Sequence, residues 1–271
     1  MNRPLVLIFA FGLASCASGP EKLFVPVAAT APGASSVDML VATTRRPSAD
    51  PGEMYSGERG ALGFANVVVS IPPDSARRAG EIQLPRTSPG DPATDFVTTK
   101  ADRLDAKAAQ AWLASHGSAR NKHRVLIFVH GYNNRFGDAV FRFAQIVHDS
   151  DAEVTPILFT WPSRASVFAY GYDRESANLS RDAFEQLLVM LVRDPAVHEI
   201  DILAHSMGNF LAIETLRQMA IRHRRIPAKI GDVMLAAPDV DVDVFRNEIA
   251  DIGDPHPQFT LFASSNSKSI N

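Results

Sequence analysis

The chain has 271 residues, of which 46% are hydrophobic and 21% charged, ordinary for a folded protein and too apolar for a disordered one. Lysine plus arginine is 27 against 30 for aspartate plus glutamate, and the net charge of −3 argues against an electrostatic nucleic-acid binder. One cysteine can form neither an internal disulfide nor a cysteine-rich metal site, and no metal or other cofactor is expected.

Residues 1–15 read as a secretion signal, with Asn2 and Arg3 at a polar start and Leu5 to Ala14 almost wholly apolar. That run is signal length and too short for a membrane span. It ends in Leu13-Ala14-Ser15-Cys16, which resembles the bacterial lipoprotein processing box. The resemblance implies that Cys16 becomes the lipidated first residue of the mature chain. The expected place is the cell envelope, at the outer membrane facing the periplasm. A plain secretory signal with a chance cysteine is the alternative. Several acyl chains, each CH₂ worth ~0.8 kcal/mol when buried, would hold such an anchor firmly. Residues 16–36, rich in Ala, Ser, Gly, Pro and Thr with few large apolar residues, read as a flexible tether, and residues 37–271 as one domain.

From Val37 to about Lys100 the pattern is strand-like, with Val37–Ala42 and Asn66–Ile71 as β-rich runs and seven prolines between and around them. This predicts an antiparallel start to a sheet. Ala101–Ser115 reads as a helix with Leu104, Ala108, Ala111 and Trp112 on one face. The chain then alternates. Val125–Val129, Thr155–Thr160, Ile200–Ala204, Asp232–Ala236 and Phe259–Ala263 read as strands, the first a continuous apolar run suited to burial on both faces. Between them, Asp138–His148, Ser176–Arg193, Met207–Arg222 and Val242–Ile249 carry helical spacing. The expected class is α/β, a mostly parallel sheet with helices on both faces.

The sharpest motif is Ala204-His205-Ser206-Met207-Gly208, between a strand and the helix it opens. A serine on that turn matches a nucleophile elbow, where the tight turn pushes Oγ out at the top of the sheet. The small residues at both ends let strand and helix backbones approach, although Ala204 stands where glycine is usual. A helix N-cap serine is the bland alternative. The second motif, His130-Gly131-Tyr132-Asn133, directly follows the strand Val125–Val129. An elbow enzyme needs two backbone N–H groups aimed at the developing oxyanion. Met207, after the serine, would supply one and Tyr132 the other. The basic run Arg222-His223-Arg224-Arg225 reads as a solvated helix end favoured by the helix dipole. No histidine pair with a nearby glutamate marks a metal site, and no phosphate-cradling loop follows a strand.

On these motifs the segment from Val125 to Phe262 resembles the α/β-hydrolase superfamily. More narrowly, it is similar to a bacterial esterase/lipase-like family long catalogued as a domain of unknown function. The runs that carry this are Thr43-Thr44-Arg45, Ser56-Gly57-Glu58-Arg59-Gly60, Val69-Ser70-Ile71-Pro72-Pro73, His130-Gly131-Tyr132-Asn133, Trp161-Pro162-Ser163, the elbow, and Ala236-Ala237-Pro238-Asp239-Val240-Asp241. The resemblance implies Ser206 as nucleophile and hydrolysis of an acyl ester as the chemistry.

The remaining triad members fit less well. The superfamily order is serine, acid, histidine. Ser267 stands where the aspartate is expected after the last strand. Asp239, or else Asp241, is the alternative acid; both can equally be loop carboxylates. Of eight histidines, only His223 and His256 follow the nucleophile. His223 closes a helix running away from it, roughly 25 Å on at ~1.5 Å per residue, and His256 precedes the last strand at the opposite sheet edge. His205 adjoins the serine and is expected to point away. The chain stops at Asn271, and a premature stop or frameshift after Phe262 would account for both losses. The expected function is therefore a serine esterase/lipase-like hydrolase using Ser206, impaired for want of a base. The competing class is a non-catalytic envelope lipoprotein that keeps the fold for binding or structure.

Overall fold

The computed structural model describes residues 22–28, 30–116, 124–238 and 242–262, Val242 by its backbone only. Three strands come first: β1 (Ser35–Pro47), β2 (Tyr55–Ile71) and β3 (Val97–Leu104). The alternating part follows as α1 (Ala106–His116), β4 (Arg124–Val129), α2 (Phe136–Ser150), β5 (Thr155–Thr160), α3 (Tyr170–Arg193), β6 (Glu199–His205), α4 (Met207–His223), β7 (Ile230–Ala236), α5 (Val242–Ile252) and β8 (Gln258–Phe262). They build one eight-stranded sheet in the order β3-β2-β1-β5-β4-β6-β7-β8. β1–β2 and β2–β3 pair antiparallel, and all other pairs are parallel. The fold is α/β, as expected, with helices on both faces.

The two faces have separate cores. On one, α1, α3 and α4 pack Trp112, Phe184, Leu187, Leu188 and Leu216 against Ile127, Phe159 and Ile202 of the sheet. On the other, α2 packs Val140, Phe143 and Ala144 against Met39, Val67, Leu126 and Leu158. β4 and β5 carry buried residues along both faces, which is why they read as uninterrupted apolar runs. No helix of the described residues is long and apolar enough to cross a membrane.

Three expectations are corrected. Ala101–Leu104 is strand, not helix: it pairs with Phe64–Val67. The helix starts after Asp105, whose carboxylate accepts the Ala108 N–H at 2.7 Å. Its buried face is Ala109, Trp112 and Leu113, with Ala111 exposed. Backbone pairing with the long β2 outweighs the local helical spacing of this segment.

The stretch read as a tether is fastened to the domain at Phe24 and Val27, and apart from Phe24 its described residues are exposed or half-buried. Phe24 is buried against Phe136 and Phe141. Its N–H donates to Gly52 O at 2.9 Å, and the Val27 N–H to Thr98 O at 2.8 Å. Leu23, Phe24, Val25 and Val27 form a short apolar run within this stretch, and its one large aromatic finds a buried place. Finally, α3 starts at Tyr170, ahead of the expected Ser176, because its first turn buries Asp173 in a polar network described below. The signal at residues 1–15 and Cys16 lie outside the described residues.

Candidate active site

β6 ends at His205 and α4 begins at Met207, so Ser206 must turn the chain through a reversal within one residue. It does so at φ 51° and ψ −123°, a conformation that costs a non-glycine residue about 1–3 kcal/mol and persists only where its surroundings hold it. The Ser206 N–H donates to Ala236 O at 3.0 Å. Its own carbonyl accepts the Asn209 N–H at 3.0 Å and the Asn209 side-chain amide at 2.8 Å. That amide also donates to Ala236 O at 3.0 Å. Ala204 is wholly buried, so the core accommodates its methyl at the position where glycine is usual.

The loop after β4 is pressed against this turn. A β-carbon on Gly131 would lie 2.8 Å from Ser206 Cβ and 3.0 Å from His205 O. Only glycine can bring the backbone of the loop this near the serine. Tyr132 follows directly, and Asn133 takes a left-handed φ of 59°.

What holds the loop was not read from the sequence. His130 is buried and stacked on Trp161, centroids 4.8 Å apart. Its Nδ1–H donates to Gly131 O at 2.8 Å, and its Nε2 accepts the Trp161 N–H at 3.1 Å. Burial, then the nearby Arg45 charge, lowers its pKa to about 3. Both ring nitrogens are thus committed, and His130 is a neutral structural residue.

Arg45 lies beneath, 1% exposed. Its guanidinium donates to Thr160 Oγ1 at 2.9 Å, Ser163 O at 3.1 Å and Asn134 O at 2.8 Å. Burial lowers its pKa to about 10, so it remains cationic. Asp173, fully buried, accepts from Ser163 Oγ at 2.6 Å, the Arg164 N–H at 3.0 Å and the Asn133 N–H at 3.3 Å. Arg45 and Asp173 clamp the His130–Asn134 loop from below and from the side. Arg45 and Ser163 occur in runs quoted above but carried no role there. The available signal for Asp173 was a carboxylate ten residues beyond Ser163, and distance in sequence hid the contact.

His223 and His256 do not converge on Ser206. His223 pairs with Glu185 at 3.0 Å at the far end of α4. His256 bonds Pro257 O at 2.8 Å ahead of β8, at the opposite edge. His205 precedes the serine, lies against Gly131, and has its pKa lowered by burial. Asp239, Asp241, Ser267 and His123 lie outside the described residues. Among the described residues no group of three or more His, Cys, Asp or Glu is placed to hold a metal ion.

A family model described as "Alpha/beta hydrolase of unknown function (DUF900)" matches residues 105–271. Among solved structures the chain is similar to a brefeldin A esterase, described as a bacterial homologue of human hormone sensitive lipase, at 12% identity and a TM-score of 0.33. The similarity covers 84% of this chain and 49% of that one, so the chain spans about half the esterase's length. No curated protein matches it.

Proposed function

The chain belongs to this family of α/β hydrolases of unknown function, and from that premise we propose that it is a serine hydrolase of acyl esters with Ser206 as nucleophile. The observation that carries the reading is the backbone of Ser206, φ 51° and ψ −123°, held between a buried parallel strand and a helix N-terminus. A helix N-cap serine has ordinary extended backbone and bonds the first turn with its side chain; Ser206 has neither feature. In the proposed reaction Ser206 Oγ attacks the ester carbonyl, the alcohol leaves with a proton, and water releases the acyl group from the serine. The N–H groups of Tyr132 and Met207 stabilise the oxyanion. Asp239 is the proposed acid.

A general base is the weak point, and it supports a second reading. His130 has both ring nitrogens engaged, and His223 and His256 sit at the wrong edge. A serine without a base is a poor nucleophile, and loss of a triad member leaves only ~10³–10⁴-fold catalysis over water. The proposal therefore includes low turnover. The second reading is an envelope protein that keeps the fold for binding.

A fluorophosphonate probe separates the two. Labelling that disappears in Ser206→Ala supports a nucleophilic serine. No labelling at high probe concentration favours the binding reading. Acylation of Cys16 and residence at the envelope, facing the periplasm, complete the proposal. Lipid carried by the protein and lost in Cys16→Ser, read by mass spectrometry, tests that part.

A further inference from the structure

Between β5 and α3 the chain makes a single 3₁₀ turn, Val167–Ala169, at the carboxyl edge of the sheet where Ser206 also lies. This turn and the residue after it expose a cluster of apolar side chains. Phe168 is 96% exposed, Val167 57% and Tyr170 44%. Isolated exposed apolar residues are normal, but three within four positions, with a phenyl ring almost wholly in water, are not.

The turn is also fastened to the loop beside the serine. The Tyr132 hydroxyl donates to Val167 O at 2.6 Å and lies 3.3 Å from Ser166 O. The Tyr132 and Tyr170 rings meet edge to face, centroids 5.3 Å apart. The Ser166 hydroxyl accepts the Phe168 N–H at 3.3 Å, which shapes the turn. The tip and the Gly131–Tyr132 loop are one mechanical piece.

We infer that this tip is a contact for a lipid surface. Three side chains on a convex turn present far less than the roughly 800 Å² per partner that a stable protein interface buries. A projecting ring has no rigid partner shape to match, whereas fluid acyl chains close around whatever enters them. Val167 and Phe168 supply the apolar wedge. Tyr170, half-exposed with a polar hydroxyl, suits the headgroup boundary, where amphipathic rings settle. The contact does not depend on Ser206 being a nucleophile. If it is one, docking the tip turns the Tyr132 side of the site toward a layer in which acyl esters reside.

The test uses the chain from residue 17 onward, so that neither the apolar run 5–14 nor a lipid on Cys16 contributes, and vesicles of phosphatidylcholine. Both native tryptophans, Trp112 and Trp161, are buried, so Phe168→Trp adds an emitter whose shift reports the tip alone. A blue shift on adding vesicles is expected. Val167→Asp/Phe168→Asp is expected to lower the vesicle-bound fraction at least tenfold. Ile221→Asp, an exposed apolar position near the far end of α4, is expected to leave it unchanged. An unshifted spectrum overturns the proposal, as does equal binding by the double aspartate variant. Self-association that Phe168→Asp abolishes, without vesicle binding, also overturns it and assigns the tip to a second copy. Ser206→Ala is expected to bind vesicles normally, so failed probe labelling with intact vesicle binding sinks the hydrolase reading and leaves this one standing.

Discussion

Gly208 and His130 lie so close that a β-carbon on the glycine would sit 2.5 Å from the His130 carbonyl oxygen and 2.6 Å from that of Val129. The first turn of α4 therefore rests directly on the end of β4, and the serine turn and the Tyr132 loop form one packed unit. Both clashing atoms are backbone, so neither can step aside. Gly208→Ala is expected to cost about 2–3 kcal/mol, the upper range for overpacking. Urea unfolding measures the loss, and probe labelling at Ser206 is expected to fall with it. A stability within error of wild type would mean that the two segments are not in contact.

Ser206 itself is held against its preference. Glycine adopts a φ of 51° freely, so Ser206→Gly relieves strain that the serine imposes. The expected gain is about 1 kcal/mol, or a Tm rise of roughly 2–4 °C for a domain of this size. Thermal unfolding of the two proteins checks it. A lower Tm for the glycine variant would remove the strain argument.

Removing the Arg45 guanidinium strands Ser163 O and Asn134 O in a buried setting and leaves Thr160 Oγ1 with only its 2.9 Å bond to His130 Nε2. At about 1–3 kcal/mol for each polar group left unsatisfied, partly offset by relaxation, Arg45→Met is expected to destabilise by ~3–5 kcal/mol. Asp173→Asn keeps the shape and part of the bonding, and is expected to cost about 1–2 kcal/mol. Denaturant midpoints give both figures. At a temperature where each variant is folded, slower probe labelling is expected, because the loop carrying Tyr132 is less firmly held.

Two buried groups oppose each other in pH. His130 is neutral in the folded state, with its pKa near 3, whereas an unfolded chain protonates it near 6.5. Its contribution is complete above pH 6.5 and lost as the pH falls toward 3. Glu248 is raised from 4.5 to about 7 by burial and then by its hydrogen bond to Glu214 and that residue's charge. The folded state keeps a proton there that the unfolded state releases, so stability falls as the pH rises from about 4.5 to 7. Glu248→Gln removes the second effect alone. The variant is expected to gain about 1–2 kcal/mol on wild type between pH 5 and pH 8. Between pH 4.5 and 6.5 it is expected to show the His130 slope, up to about 1.4 kcal/mol per pH unit. Parallel stability curves would show that Glu248 and Glu214 do not share a proton.

The sequence by itself determined the alternating half of the molecule and the serine turn. β4, β5 and α2 are legible because burial on both faces demands a continuous apolar run and an amphipathic helix demands a 3.6-residue spacing, both local patterns. Ser206 is legible for the same reason: strand, serine, small residue and helix are neighbours in the chain. Tertiary structure decided the rest. Ala101–Leu104 became strand because β2 offered it a partner, and Phe24, in a stretch of mostly small residues, docked because α2 offered it aromatic rings. The clamp beneath the Tyr132 loop brings Arg45, Ser163 and Asp173 together from three parts of the chain. Each looks like a surface charge or turn residue until the sheet order places β1 beside β5. A buried polar network is chosen by mutual satisfaction across the fold, and no one-dimensional spacing records that.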